Sequence, residues 1–416
     1  MKHLGIEPRT YSARWVFPAS GPPIENGRVA VCDGKIAFVG PPESRAADEH
    51  LGNVALIPGL VNAHTHLDLS GARGLVPPTD PEHFTDWLKG VIAYRRTRTV
   101  EQTAHDIRNG LDESLKFGTT LIGDIAAEGQ SWEALQDAHL RSTIYWEMIG
   151  LDQARVGTQW NRYLATSGQS SENPDGVRLR LPNALCHWGC SPHAPYSVGA
   201  MSGKVLQWLD GRVTIHVAET PAESELIERR TGPFVDFLTD LGVYSESELA
   251  SSIADFLAPM VNFSELSRIL LVHCNYLPFT FDFQPNHSVV YCPRTHAAFQ
   301  HPPHPFREFQ NRGVRVCLGT DSLASNPDLD VLAEARFVRE RYPEVAGETL
   351  LKMVTLYGAE ALGWENETGS LEVGKSADLV AVPLPDRDAS DPHELLFAND
   401  CPELLRRTLF RGAWRS

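Results

Sequence analysis

The 416-residue chain is short of several things, and each shortage excludes something. No run of about 18 apolar residues occurs, so a helical membrane span is not expected. Positive charge is scarce: 37 Lys and Arg stand against 53 Asp and Glu, a net charge of −16. A surface of that sign repels phosphate backbones and anionic lipid, which argues against nucleic acid and membrane as partners. Cysteines number 7 and are scattered, too few for a disulfide framework. Their odd count leaves one unpaired and suits a reducing compartment. Cys186 and Cys190 flank His187 with a zinc-clip-like spacing, but no second pair matches it, and the run reads as a buried strand. The opening MKHLGIEPRTYSAR carries charges with no apolar stretch behind them, so no secretory leader is expected and the cytoplasm is the expected location. No G-x-G-x-x-G follows a strand, against a dinucleotide-binding fold. There are no solenoid-period repeats and no low-complexity tract. With 42% hydrophobic and 22% charged residues, the composition is that of a globular protein. The length allows two or three domains, or one large α/β barrel.

What recurs is a short apolar, β-rich run followed by a helical stretch. The runs lie at 55–67, 119–125, 142–150, 183–190, 213–219, 269–277, 288–293 and 314–321. Continuous rather than alternating apolar residues suit strands covered on both faces. Between them lie helix patterns such as VEQTAHDIRNGLDESLKFG (100–118), closed by a glycine. Eight strands alternating with helices predict an α/β fold, a (β/α)8 TIM-type barrel. The ends differ. RVAVCDGKIAFVG and GSLEVGKSADLVAV (369–382) are β-like with glycine turns. They predict a small β-sandwich domain built from both termini, residues 1–58 and 366–416, with the barrel at 59–365 inserted between. The long segment 220–262 reads as helical, broken at Gly232-Pro233. It is either a lid over the barrel mouth or a plain helical insertion.

The chemistry concentrates at the ends of the expected strands. His64 and His66 are two apart, so a strand points both to one face. The fifth strand ends in His216 and is followed by Glu219. The sixth ends in His273 and the eighth in Asp321. Active sites of this fold sit at the C-terminal ends of the strands, where the βα-loops converge. Three imidazoles and a carboxylate suit one divalent ion, so His64, His66, His216 and Asp321 are assigned as ligands of Zn²⁺, with Fe²⁺ as the alternative. Such an ion lowers the pKa of its water towards neutrality. Glu219 then remains to protonate a ring nitrogen, and His273 to hydrogen-bond the attacking oxygen. The expected fourth strand carries no lysine that could bridge two metals, which favours one ion. One activated water with a proton-shuttling carboxylate suits attack on an amidine-type carbon with loss of ammonia.

The run Pro58-Gly-Leu-Val-Asn-Ala-His-Thr-His66 resembles the first signature of the amidohydrolase superfamily. The remaining barrel motifs and GSLEVGKSADLV resemble its cyclic-deaminase branch. That branch includes methylthioadenosine/S-adenosylhomocysteine, guanine and aminodeoxyfutalosine deaminases and triazine chlorohydrolases. The resemblance covers nearly the whole chain. It implies a mononuclear zinc or iron site on the residues named above, with Asp321 also taking a proton from the metal-bound water. It further implies that His193, within Ser191-Pro-His-Ala-Pro-Tyr196, contacts substrate. Relatives often form dimers, so a homodimer is an expectation.

Two stretches depart from the branch. Adenosine-type members place a ribose-gripping glutamate after a Trp-Leu pair. Here Trp87-Leu88 is followed by Arg95 and Arg96, read either as a solvated face or as a partner for a substrate carboxylate. In Cys292-Pro-Arg-Thr-His296, Thr295-His296 stand where better-known members carry a serine-asparagine pair, and the run looks more like a subgroup that includes aminodeoxyfutalosine deaminases. His296, His301 and His304 cluster there, read as separate loop histidines rather than a second metal site, with His296 the best placed to touch substrate. Trp87 is assigned to stack on a flat base, and Glu147 is a further polar candidate. The leading expectation is a metal-dependent hydrolytic deaminase of a purine-like nucleoside or heterocycle, with aminodeoxyfutalosine or a related 6-aminopurine nucleoside the concrete choice. The rivals are a guanine or 8-oxoguanine deaminase, a triazine chlorohydrolase, and a non-enzymatic assembly protein on the same fold.

Overall fold

A computed structural model describes residues 7–167, 185–199, 211–261, 267–400 and 406–415. Residues 183, 184 and 262, which bound the expected fourth strand and the 220–262 segment, lie outside these ranges. The central sheet has eight strands: β1 (Leu60–Thr65), β2 (Thr119–Ala127), β3 (Arg141–Met148), β4 (Cys186–Pro192), β5 (Arg212–Val217), β6 (Arg268–His273), β7 (His287–Tyr291) and β8 (Arg315–Leu318). Each pairs with its sequence neighbour, in parallel register from β3 through β8. A parallel bridge between Thr65 and Asp321 returns the chain after β8 to β1 and closes the ring. Every residue of β1, β3 and β7 is buried. This is why these segments read as unbroken apolar runs rather than alternating ones.

Helices occupy the connections. The ones that matter for the site are α1 (Phe84–Thr97), α2 (Val100–Lys116), α3 (Pro221–Arg229), α4 (Pro233–Asp240) and α5 (Pro293–Ala298). The break between α3 and α4 has local causes. Arg230 takes a left-handed conformation at the end of α3, and Gly232, at φ 91°, precedes Pro233 at the start of α4. No helix among the described residues is long and apolar enough to cross a membrane.

The termini form two further sheets. One has four strands, Arg9–Ser12, Arg28–Cys32, Lys35–Gly40 and Glu49–His50; the other has six and includes Val54–Pro58, Leu379–Pro383 and Arg407–Phe410. Their shared core joins Tyr11, Val29 and Ile36 of the first sheet to Leu56, Leu379 and Leu409 of the second. The hairpin Arg28–Gly40 turns at Asp33-Gly34, both at positive φ (49° and 71°), as a tight two-residue hairpin turn demands. Residues 369–378 differ from the β-like expectation: only Leu379–Pro383 of the closing motif is a strand. Gly369 and Gly374 lie at φ 91° and 93° and bend the chain. Ile36 instead makes two backbone hydrogen bonds to this loop, donating its N–H to the Lys375 carbonyl at 2.9 Å and accepting from Gly374 N–H at 2.8 Å. The chain separates into two compact units. One comprises the residues up to Ala63, Asp112–Ile122 and the residues from Asp330 onward. The other comprises His64–Leu111 and Gly123–Leu329, and contains every residue of the site below.

Candidate metal centre and its cavity

β1 delivers His64 and His66, and β5 delivers His216; all three rings are buried. The Nε2 of His216 lies 3.3 Å from Nε2 of His64 and 3.3 Å from Nε2 of His66. Asp321 Oδ1 lies 3.7 Å from both His64 Nε2 and His66 Nε2. Nitrogens bound tetrahedrally at about 2.0–2.1 Å to one ion stand about 3.3 Å apart. Neutral imidazole lone pairs brought this close repel one another unless a cation sits between them. His216 Nδ1–H donates to the His193 carbonyl at 2.9 Å, which leaves its Nε2 as the lone-pair donor. Burial, followed by the neighbouring imidazoles, holds His66 and His216 well below the usual histidine range, so both are neutral and able to ligate. The four residues therefore fit a divalent metal ion. His273 also comes within ligand range of His64 and His216.

The proton-handling candidates sit beside this cluster. Glu219 Oε1 lies 3.4 Å from His273 Nε2. Burial, then the charges of Asp321 and Glu223, push the Glu219 carboxyl well above the ordinary carboxylate range. Burial lowers His273 well below the histidine range. Asp321 is drawn the other way. Burial alone would raise it, but the hydrogen bond with His64 and the His273 ring bring it below its ordinary value. The two carboxyls are thus pushed apart, one towards holding a proton and one towards staying ionised, as paired acid and base roles require.

The backbone that presents these groups is strained. Ala218, His273, Cys274 and Asp321 are non-glycine residues at φ 50°, 68°, 56° and 58°. Each such conformation costs about 1–3 kcal/mol and persists only where surrounding contacts impose it. Those contacts are visible. Asp321 N–H donates to the His64 carbonyl at 3.0 Å. Cys274 N–H donates to the Val217 carbonyl at 3.0 Å, and His304 Nε2–H to the His273 carbonyl at 2.6 Å. Glu223 accepts from Ala218 N–H and Glu219 N–H, both at 3.0 Å, while Thr220 caps α3 by accepting from Glu223 N–H at 3.4 Å. Thr220-x-x-Glu223 has the spacing of a capping box, but Glu223 reaches back past Thr220 to the N–H groups of Ala218 and Glu219.

Above the cluster lies a cavity of about 400 Å³, within the range of about 300–1,000 Å³ usual for small-molecule sites. His66, His216, Glu219, His273 and Asp321 line its floor. α1 contributes Phe84, Trp87 and Val91; α4 and the loop after it contribute Phe237, Leu238 and Tyr244. Residues 237–244 of the 220–262 segment therefore form part of the cavity wall. Trp87 packs edge-on against Phe299, with centroids 5.0 Å apart, and lines the cavity. His193 follows β4 and lines it too, its Nδ1 2.7 Å from Ser197 Oγ. His296, on α5, is not among the lining residues. Its ring lies 5.6, 5.2 and 5.5 Å from those of Tyr291, His301 and His304. No candidate metal grouping among the described residues includes this histidine trio. Cys186 and Cys190 share one face of β4 and His187 the other, which keeps these three from converging on an ion.

Residues that sequence reasoning left without a role also meet here. Arg95 is paired with Asp68 through Nε at 2.8 Å and with Glu147 through Nη1 at 3.2 Å; Arg96 is exposed. Neither acid carries a sequence signal beyond its place, Asp68 two residues past His66 and Glu147 near the end of β3.

A barrel with a histidine- and aspartate-lined mouth defines a metal-dependent hydrolase class. Residues 55–412 match the amidohydrolase family, and the chain belongs to it. It is 29% identical over 409 residues to a 5-methylthioadenosine/S-adenosylhomocysteine deaminase of Moorella thermoacetica, covering 92% of this chain and 86% of that one. It is 25% identical over 351 residues to an aminodeoxyfutalosine deaminase of Nitratiruptor sp., covering 82% of each. The structure of Helicobacter pylori aminofutalosine deaminase in complex with methylthio-coformycin shares the fold, with a TM-score of 0.82 at 20% identity over 98% of this chain and 100% of that one.

Proposed function

We propose that the protein deaminates a 6-aminopurine nucleoside hydrolytically, with aminodeoxyfutalosine the specific substrate and zinc the ion. The observation that carries this reading is the pairing, in one cavity, of a three-histidine, one-aspartate cluster with a buried, proton-favouring Glu219. Curated relatives named as deaminases of such nucleosides support it. The apolar walls from α1 and α4 support a substrate larger than a free base.

His64, His66, His216 and Asp321 would hold the ion, which when bound supplies a water acidified towards neutral pH. Glu219 carries a proton to the purine ring nitrogen next to the carbon under attack. His273, facing Glu219, holds the attacking oxygen by a hydrogen bond. Asp321 takes the proton that this oxygen gives up. Asp321 then passes that proton to the departing amine, so that ammonia leaves and the ring carbon keeps the oxygen. Trp87 and the aromatic wall around it exclude water and pack on the substrate.

The test is ammonia release by metal-loaded protein given 6-aminopurine nucleosides, guanine, 8-oxoguanine and aminotriazines, with chloride release from chlorotriazines in parallel. Ammonia from the nucleosides alone, lost with a chelator and restored by zinc, is the expected result. Release only from free bases or triazines would replace the nucleoside reading. Release from nothing, with no metal retained, would remove the catalytic reading altogether.

A further inference from the structure

Among the described residues, Glu147 is the one acid of the cavity wall with an unsatisfied buried oxygen. Its side chain is 2% exposed. One oxygen, Oε2, accepts from Arg95 Nη1 at 3.2 Å. The other, Oε1, is buried without a hydrogen-bond partner, in a residue that lines the cavity. A buried carboxylate oxygen left unsatisfied costs about 1–3 kcal/mol or more. It is 3.9 Å from His193 Nε2.

The hydrogen bonds of His193 decide what this pair can do. Ser197 Oγ donates to the Ala194 carbonyl at 3.2 Å. It must therefore accept from His193 Nδ1–H, 2.7 Å away. That leaves Nε2 as a bare lone pair. Two acceptors thus face each other with no proton between them, and a donor from outside the chain would satisfy both. An anion would find no welcome there. The single guanidinium of Arg95 is already shared between two carboxylates, Asp68 and Glu147. The pair also lies close to the metal cluster: the His193 and His216 rings are 4.9 Å apart.

We propose that Glu147 is a specificity-determining residue whose Oε1, together with His193 Nε2, accepts a hydrogen bond from a sugar hydroxyl of the substrate, with Arg95 holding Glu147 in place. This rests on the nucleoside reading above. It places the recognition of a neutral hydroxyl on β3 and β4, and it assigns Arg95 to positioning rather than to capture of a substrate carboxylate.

The experiment uses zinc-loaded full-length protein with adenosine, 2′-deoxyadenosine and 3′-deoxyadenosine. It measures kcat/KM, and the dissociation constant for any compound not turned over. The wild type should lose about tenfold or more on one of the two deoxy compounds. Glu147→Gln keeps the shape but turns its carbonyl towards Arg95 and an N–H₂ towards the pocket, inverting the polarity. It should lose a similar factor on adenosine and less than about threefold on the sensitive deoxy compound, with metal content unchanged. If Glu147→Gln does not fold, Glu147→Asp, which withdraws the carboxylate, should show the same selective loss. Equal handling of all three compounds by the wild type overturns the assignment. So does a variant that loses the same factor on every compound, which would mark Glu147 as merely structural. A wild type that neither binds nor converts any of the three overturns this assignment, and if it also releases no ammonia from aminodeoxyfutalosine it overturns the nucleoside reading with it, whereas the first two outcomes leave that reading standing.

Discussion

Glu219 carries the most at the scale of single residues. Its carboxyl is buried beside Asp321 and favours the protonated form. Glu219→Gln preserves size and hydrogen bonding but cannot shuttle a proton. It should keep about one metal per chain and lower kcat by roughly 10²–10⁴-fold; metal analysis with steady-state kinetics checks both, and surviving turnover would remove the residue from its role. Asp124, on β2, gives a prediction of a different kind. Burial pushes its carboxyl up to about 7, against about 3.9 for an unfolded aspartate. The folded state therefore binds the proton more tightly than the unfolded state. The stability this confers is complete below the unfolded value and is lost as pH rises through the folded one. Asp124→Asn mimics the neutral form, so it should raise stability at pH 8 by on the order of 1–3 kcal/mol and change it little near pH 4. Thermal unfolding at the two pH values reads this directly; an equal shift at both would contradict it.

Elements set the distances between these residues. β8 ends against β1 so closely that Gly319 is required there: an added Cβ would lie 2.9 Å from both the Cβ and the carbonyl oxygen of His64. Gly319→Ala should therefore push the first proposed ligand out of place, destabilising by about 1–3 kcal/mol and lowering metal content at the same time. A variant that retains its metal at wild-type affinity would show that the strands can separate without disturbing the site. The loop between β5 and α3 works by capping rather than packing. Thr220 and Glu223 satisfy the free N–H groups at the start of α3 and behind Glu219. The 220–262 segment also acquires its meaning at this scale, as the apolar wall facing α1.

At the scale of the whole molecule, the proposed ion joins strands far apart in sequence. His64 and Asp321 are separated by 257 positions (321 − 64), and both donate to one point. An ion that binds only the folded chain stabilises it by about 2.7 kcal/mol at a free concentration 100 times its dissociation constant. Chelation should lower the Tm, and zinc should restore it in proportion to the logarithm of its concentration. A Tm indifferent to chelator would mean that the cluster holds no ion in the folded protein.

Much of this was legible along the chain because strands and ligands obey local rules. Continuous apolar runs mark strands buried on both faces, and residues two apart share a face, so the eight barrel strands and the His64–His66 pair could be read directly. The clustering of His216, His273 and Asp321 at strand ends followed from the geometry of the fold class. Other features depend on partners distant in sequence, which no periodicity encodes. The ion pairs of Arg95 join residues 27 and 52 positions away, and a helix pattern cannot distinguish a buried guanidinium from a solvated one. His296 stood within a suggestive cluster, yet the turn of α5 packs it on Tyr291, away from the cavity wall. The stretch 369–382 reads as β-like with glycine turns; Gly369 and Gly374 at positive φ are such turns, and the strand is confined to Leu379–Pro383. Residue type and spacing determined the barrel, the proposed ligand set and the chemistry. Only the tertiary structure decided which charged residues of the cavity wall are left with an unsatisfied buried atom, because hydrogen-bond satisfaction is a property of atoms brought together, not of their order in the chain.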